Sequence, residues 1–238
     1  MVKKYLPPRL KNRLKQLRRR ARWQGSHRVF CISMQRNGTT SVGNFFAHFG
    51  YPVARWGTSK KNRWSQRWYA GDFEAIFRSG DFRSYQVFED DPWWLPEFYK
   101  VLYHRFSGAK FIMFTRSSDA WFNSMLAHSG GKTIGNTQGH CKVYRREKEF
   151  YDQLDNNQNF DPIAYGNDNL LPLTGYEQHY RDIYEVRNRE ITDFFASKSP
   201  NQLFTCSLED DHKWQKLGAF MGIEVPEALE VHSNKSVK

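Results

Sequence analysis

The chain has no acidic side chain in its first 71 residues, and the first carboxylate is Asp72. That stretch holds 17 Lys/Arg, whereas residues 72–238 hold 19 against 25 Asp/Glu, so the net charge of +11 is concentrated at one end. A basic third of this kind points to an anionic partner: phosphate, sulfate, an acidic glycan, nucleic acid or a membrane surface. Cysteine is scarce. Cys31, Cys141 and Cys206 are odd in number and widely spaced, which excludes a disulfide scaffold and gives no metal-type spacing. Cys31 and Cys206 fall in strand-like runs and read as core thiols, as expected in a reducing, cytoplasmic setting. No run of about 18 apolar residues is present, so no membrane span is expected. The basic N-terminus carries no apolar stretch of the kind a secretory signal needs. A Walker A loop is missing too, because no Gly-x-x-x-x-Gly-Lys-Ser/Thr follows a strand-like run. Ser129-Gly-Gly-Lys-Thr133 comes nearest, but a helix precedes it and it reads as a loop.

What is present is a globular composition, 39% hydrophobic and 16% aromatic, in a length suited to one domain. Residues 1–25 form a basic amphipathic segment, with ten Lys/Arg in the first 22 residues and Leu6, Leu10, Leu14 and Leu17 at helical spacing. Two readings stay open for it. The leucines pack the helix onto the domain, or residues 1–22 attach to a membrane surface or an anionic polymer.

Residues 26–238 read as a single domain. Strands are expected at 28–34, 51–56, 84–88, 110–115 and 202–206. Helices are expected at 39–49, 66–79, 94–106, 118–127, 175–197 and 211–221. Their alternation predicts an α/β fold of three layers, a P-loop-like central parallel sheet of about five strands with helices on both faces. Residues 128–174 are rich in Gly, Asn, Asp and Gln, and read as an insertion or long loop with a short helix near 144–154.

The strongest local signal is Ser33-Met-Gln-Arg-Asn-Gly-Thr-Thr-Ser41, set between a strand and a helix. A helix start offers free N–H groups and the positive end of the peptide dipoles. Gly38 allows close backbone approach, Thr39, Thr40 and Ser41 add hydroxyls, and Arg36 adds a fixed charge with several donors. A strand followed by Gln35-Arg36-Asn37-Gly38-Thr39-Thr40-Ser41 and a helix resembles the 5′-phosphosulfate loop of PAPS-dependent sulfotransferases. Asn37 stands where that family usually has Ser or Thr.

A second match lies at Phe111–Ser124. Arg116 at a strand end and Ser124 eight residues later resemble the pair with which sulfotransferases hold the 3′-phosphate of the donor. Taken alone, Arg116 reads as a surface partner of Asp119. Leu203–Leu208, Trp214–Gly222, Pro226 and Asn234 resemble the C-terminal part of a bacterial-type branch, and His232 and Asn234 either approach the nucleotide or belong to a plain surface tail.

The resemblance implies PAPS as co-substrate, PAP as product, no metal, and transfer of a sulfuryl group to a hydroxyl or amine. Relatives place a base just before an x-Pro pair. Aligned on Pro92, Asp90 takes that position, with Glu89 as alternative, and adjacent carboxylates raise one another's pKa. The competing reading makes Asp91-Pro92 a helix cap with no catalytic role. His128 and the indoles of Trp56, Trp64, Trp93 and Trp94 are candidates for the acceptor side, against structural roles for all of them. The acceptor is open, a carbohydrate among the options, and the insertion at 128–174 is expected to shape acceptor specificity. Two other functions compete: a P-loop nucleotide kinase, and a non-enzymatic binder of anionic polymer, although no specific nucleic-acid module is recognisable.

Overall fold

A computed structural model describes residues 7–129, 138–156 and 171–231. Five strands, β1 (Val29–Cys31), β2 (Val53–Ala54), β3 (Val87–Phe88), β4 (Lys110–Thr115) and β5 (Leu203–Ser207), form one sheet in the order β2-β3-β1-β4-β5. Every pairing is parallel. Hydrophobic alternation along the strands decides which layer each residue joins. Phe30, Ile32, Phe88, Phe111 and Met113 face one buried cluster, and Val29, Cys31, Val87, Ile112, Phe114 and Phe204 face the other. Both faces are covered, as an all-parallel sheet requires. The expected α/β architecture is therefore present.

Helix α1 (Pro8–Arg20) precedes the sheet, and α2 (Thr39–His48) follows β1. Four short helices, α3 (Trp56–Asn62), α4 (Trp64–Tyr69), α5 (Phe73–Phe77) and α6 (Gly80–Ser84), join β2 to β3. The single helix expected at 66–79 is thus broken. Gly71 turns left-handed at φ 72, and two fresh N-caps follow. Asp72 Oδ1 accepts from Ala75 N–H at 3.3 Å, and Ser79 Oγ accepts from Phe82 N–H at 3.2 Å. Capping side chains of this type outcompete continuation of a helix. The expected helix at 94–106 begins only at Phe98, as α7 (Phe98–Arg105).

After β4 come α8 (Ser118–Ser129), α9 (Gln138–Val143), α10 (Glu147–Asn156), α11 (Glu177–Lys198) and α12 (Lys213–Met221). Part of the expected insertion is integral to the domain. Val143 and Tyr144 belong to the main core, and α9 packs on α4. Sequence periodicity missed this because α9 has only six residues. Arg187 of α11, 7% exposed, ties the layers together by donating from Nη2 to the carbonyls of Ile32 at 3.0 Å and Trp94. Trp93 anchors the aromatic centre of the core, with ring centroids 4.7 Å from Phe88, 5.4 Å from Trp64 and 5.5 Å from Phe30.

Helix α1 does not pack by its leucines. It lies on α6 through polar groups, and Leu10, Leu14 and Leu17 are 42%, 38% and 58% exposed. Of the two thiols read as core, Cys31 is fully buried and Cys206 is half-buried. Residues 130–133, His232 and Asn234 lie outside the described residues.

Candidate active site

The chain reverses its order of travel around β1. From β1 it moves outward to β2 and β3, then crosses to β4 and β5 on the other side. The crevice at the carboxyl ends of β1 and β4 is therefore the topological switch point, where ligands of open α/β sheets bind. Both sequence-predicted anion sites sit there, one after β1 and one at the end of β4.

The loop after β1 is wound tightly. Arg36 and Gly38 both take left-handed conformations, at φ 69 and φ 74, and such turns direct successive N–H groups into an anion-binding concavity. The first turn of α2 closes with Val42 N–H on Gly38 C=O at 3.0 Å. Ahead of it lie the N–H groups of Gly38 to Ser41, which a helix leaves without internal acceptors. A Cβ on Gly38 would come within 2.7 Å of Leu208 Cδ1, so the position needs glycine for space as well as for torsion. Thr39 and Ser41 are buried, and Thr40 is half-buried.

Arg36 reaches across the crevice and donates from Nε to Ser124 Oγ on α8 at 3.2 Å. Burial lowers its pKa, and the nearby Arg116 guanidinium lowers it further. Two fixed cations thus face one another at the ends of adjacent strands. Arg116 Nε and Asn37 Nδ2 are buried donors with no partner among the described residues, an arrangement that is costly unless an acceptor arrives. The Arg116 backbone is pinned by Tyr184, whose hydroxyl accepts from Arg116 N–H at 3.0 Å and lies 3.4 Å from Asn37 Oδ1. Arg116 Nη2 is 3.5 Å from the exposed carboxylate of Glu209. The pairing with Asp119 expected for a lone Arg116 is absent, because Asp119 bonds Arg181 at 2.8 Å. Gln35 points inward, donating to Tyr144 Oη and to Met125 Sδ, while its carbonyl accepts from Trp121 Nε1 at 3.0 Å. Its side chain holds the loop from below.

The carboxylates leave the end of β3, the neighbour of β1. Glu89 is 2% exposed and packs on Gly43 of α2, where a Cβ would approach Glu89 Cγ to 3.0 Å. Burial, with Asp90 adding repulsion, raises Glu89 to about 8, partly offset by Arg55. Asp90, half-buried and at φ 68, accepts from Asp91 N–H at 2.8 Å. Burial and the neighbouring Asp91 carboxylate raise Asp90 to about 7. His140 on α9 sits 3.9 Å from Asp91 Oδ2. Asp91 does not cap a helix directly after Pro92, since α7 starts at Phe98.

The family profile described as "Sulfotransferase domain" matches residues 28–237. The chain belongs to the sulfotransferase family. Among solved structures, the sulfotransferase domain from the curacin biosynthetic pathway aligns with 90% of this chain and 80% of its own, at 12% identity and a TM-score of 0.47. No curated protein matches the chain.

The chemistry of this sulfotransferase is movement of a sulfonate group from a donor to an acceptor. Other side chains named from sequence take diverse places in it. Trp64, Trp93 and Trp94 are fully buried in the core, and Trp56 is exposed. His128 is exposed on α8, with its pKa lowered by partial burial and by Arg36. Tyr184, Tyr144 and Leu208 were not legible as site residues. Each comes from a segment remote in sequence, and neither a tyrosine nor a leucine there carries a local signature of a ligand contact. A cleft of about 770 Å³ between α4, α7, α9 and α11, lined by Trp68, Tyr69, Phe98, Lys142 and Arg187, contains none of the sequence-predicted site residues.

Proposed function

We propose that this sulfotransferase uses PAPS and transfers its sulfuryl group in line to a hydroxyl or amine of an acceptor, with a carbohydrate as one class. The observation that carries this reading is the convergence of Arg36, Arg116 and Ser124 on one crevice, with orphaned donors at Asn37 and Arg116. A nucleotide bearing phosphates at both its 3′ and 5′ positions fits such a paired site, where a single phosphate leaves one cation unanswered. The donor supplies an activated sulfuryl group and departs as PAP.

The chain's own residues divide the remaining work. The N–H groups and hydroxyls of Gly38, Thr39, Thr40 and Ser41 hold the 5′-phosphate. Arg116 and Ser124 hold the 3′-phosphate, with guanidinium geometry suited to two oxygens. Arg36 moves from Ser124 Oγ toward the bridging oxygen and stabilises the negative charge that grows there. As the acceptor oxygen or nitrogen bonds to sulfur and the bridging S–O bond breaks, the acceptor proton passes to a carboxylate. Asp90 suits this role better than Glu89, because it is less enclosed and still titrates near neutral pH.

Calorimetry with PAP in the absence of magnesium tests the donor assignment. Wild type is expected to bind PAP, and Arg116→Ala to weaken binding roughly a hundredfold, as loss of a charge-assisted contact predicts. Weak PAP binding combined with tight binding of ATP and magnesium would favour a nucleotide kinase.

A further inference from the structure

We propose that α1 lies on an anionic lipid bilayer through the face it turns away from the protein. The helix has two opposite lines, each at i, i+4, i+7 spacing. Asn12, Gln16 and Arg19 form the line against the body. Arg19 Nη1 bonds Asp81 Oδ1 at 2.9 Å and its guanidinium stacks 4.1 Å from the Tyr85 ring centroid. Gln16 lies against Gly80. After the helix, Trp23 Nε1 donates to Ser84 C=O at 2.9 Å and Arg22 Nη2 to Gly50 C=O at 3.0 Å. The helix is therefore held by its polar side, in a fixed rotation.

That rotation sends Leu10, Leu14 and Leu17 outward, and no residue of α1 is buried. Helical geometry places Arg9, Arg13 and Arg20 along one flank of the leucines and Lys11 and Arg18 along the other. An acidic polymer would use the basic rows and gain nothing from the leucines between them. A bilayer surface with anionic headgroups uses both, since acyl chains take the leucines while the long basic side chains reach the headgroup layer. The charge of this end of the chain is complementary to such a surface, as residues 1–71 carry no acid.

Sedimentation with vesicles tests the proposal, using phosphatidylcholine alone and the same lipid with one third phosphatidylserine. The full chain is expected to pellet with the mixed vesicles only. A Leu10→Ser/Leu14→Ser/Leu17→Ser variant is expected to lower partitioning at least about tenfold through lost apolar burial. An Arg13→Gln/Arg18→Gln variant is expected to lower it about 25-fold, roughly fivefold for each charge. All these side chains are exposed, and an unchanged circular-dichroism melt confirms that the variants fold. Failure of wild type to bind the mixed vesicles, or equal binding to both kinds, overturns the proposal. So does retention of full binding by the leucine variant, which would show that the leucines take no part in the contact.

Discussion

At the scale of single residues, the carboxylates after β3 make pH the natural probe. Glu89 ordinarily ionises near 4.5 and Asp90 near 3.8, yet in the fold they hold protons up to about 8 and about 7. Between those limits the folded chain binds more protons than the unfolded one, so this pair makes stability fall as pH rises. Urea midpoints measured between about pH 5 and about pH 8 are expected to decline less steeply in Glu89→Gln, which cannot ionise. Activity should run the other way. With Asp90 as the base, kcat/KM rises as its carboxyl deprotonates and levels off above about pH 7, and Asp90→Asn loses about 10²- to 10⁴-fold in rate. An Asp90→Asn enzyme with wild-type turnover would assign the proton to another group. The placement of Arg36 and Gly38 in the loop after β1 and of Arg116 at the end of β4 was legible because a strand-like apolar run precedes each. Glu89 and Asp90 were legible only as a pair, and it is burial against Gly43 and Arg55 that separates them. No local pattern in the chain announces that packing.

At the scale of elements, five strands and the main helices were legible from alternation and from strand-helix order. The boundaries shifted where side chains intervened. Asp72 and Ser79 cap new helices inside the expected 66–79 helix, and a cap depends on a rotamer that periodicity does not encode. The leucine stripe of α1 marked a helix correctly but not the side on which it docks. Docking is decided by Asp81, one acidic side chain that meets Arg19 at 2.9 Å, Lys61 at 3.2 Å and Asn62 at 3.0 Å. Burial raises the Asp81 pKa, but its hydrogen bonds and the Lys61 charge outweigh that and leave it below 3.8. Its contribution is therefore complete above the ordinary carboxylate range and fades as acid protonates it. Asp81→Asn is expected to cost about 1–2 kcal/mol in chemical denaturation at neutral pH, after discount for partial exposure of its partners. It should also speed proteolysis within residues 8–22. Unchanged cleavage there would mean that Trp23, Arg22, Gln16 and the Arg19–Tyr85 stacking hold the helix without Asp81.

For the molecule as a whole, an aromatic core on one side of the sheet and a smaller aliphatic and aromatic core on the other give a three-layer domain. Trp93 sits at the centre of the first, in contact with residues from β1, β3, α4 and α7. Trp93→Ala is expected to cost about 3–5 kcal/mol, the range for deleting a buried large aromatic side chain, as a lowered urea midpoint. A loss below about 1 kcal/mol would mean that the surrounding rings close the gap. One feature of this assembly bears on engineering. The side-chain amide of Gln35 rests on Tyr144, so the floor beneath the loop after β1 is supplied by the segment that follows α9. Exchanging residues 138–156 for a counterpart from another enzyme would therefore remove that floor. A transplant that keeps a tyrosine at 144 preserves the support under Gln35, and one that omits it loosens the loop that carries Arg36 and Gly38.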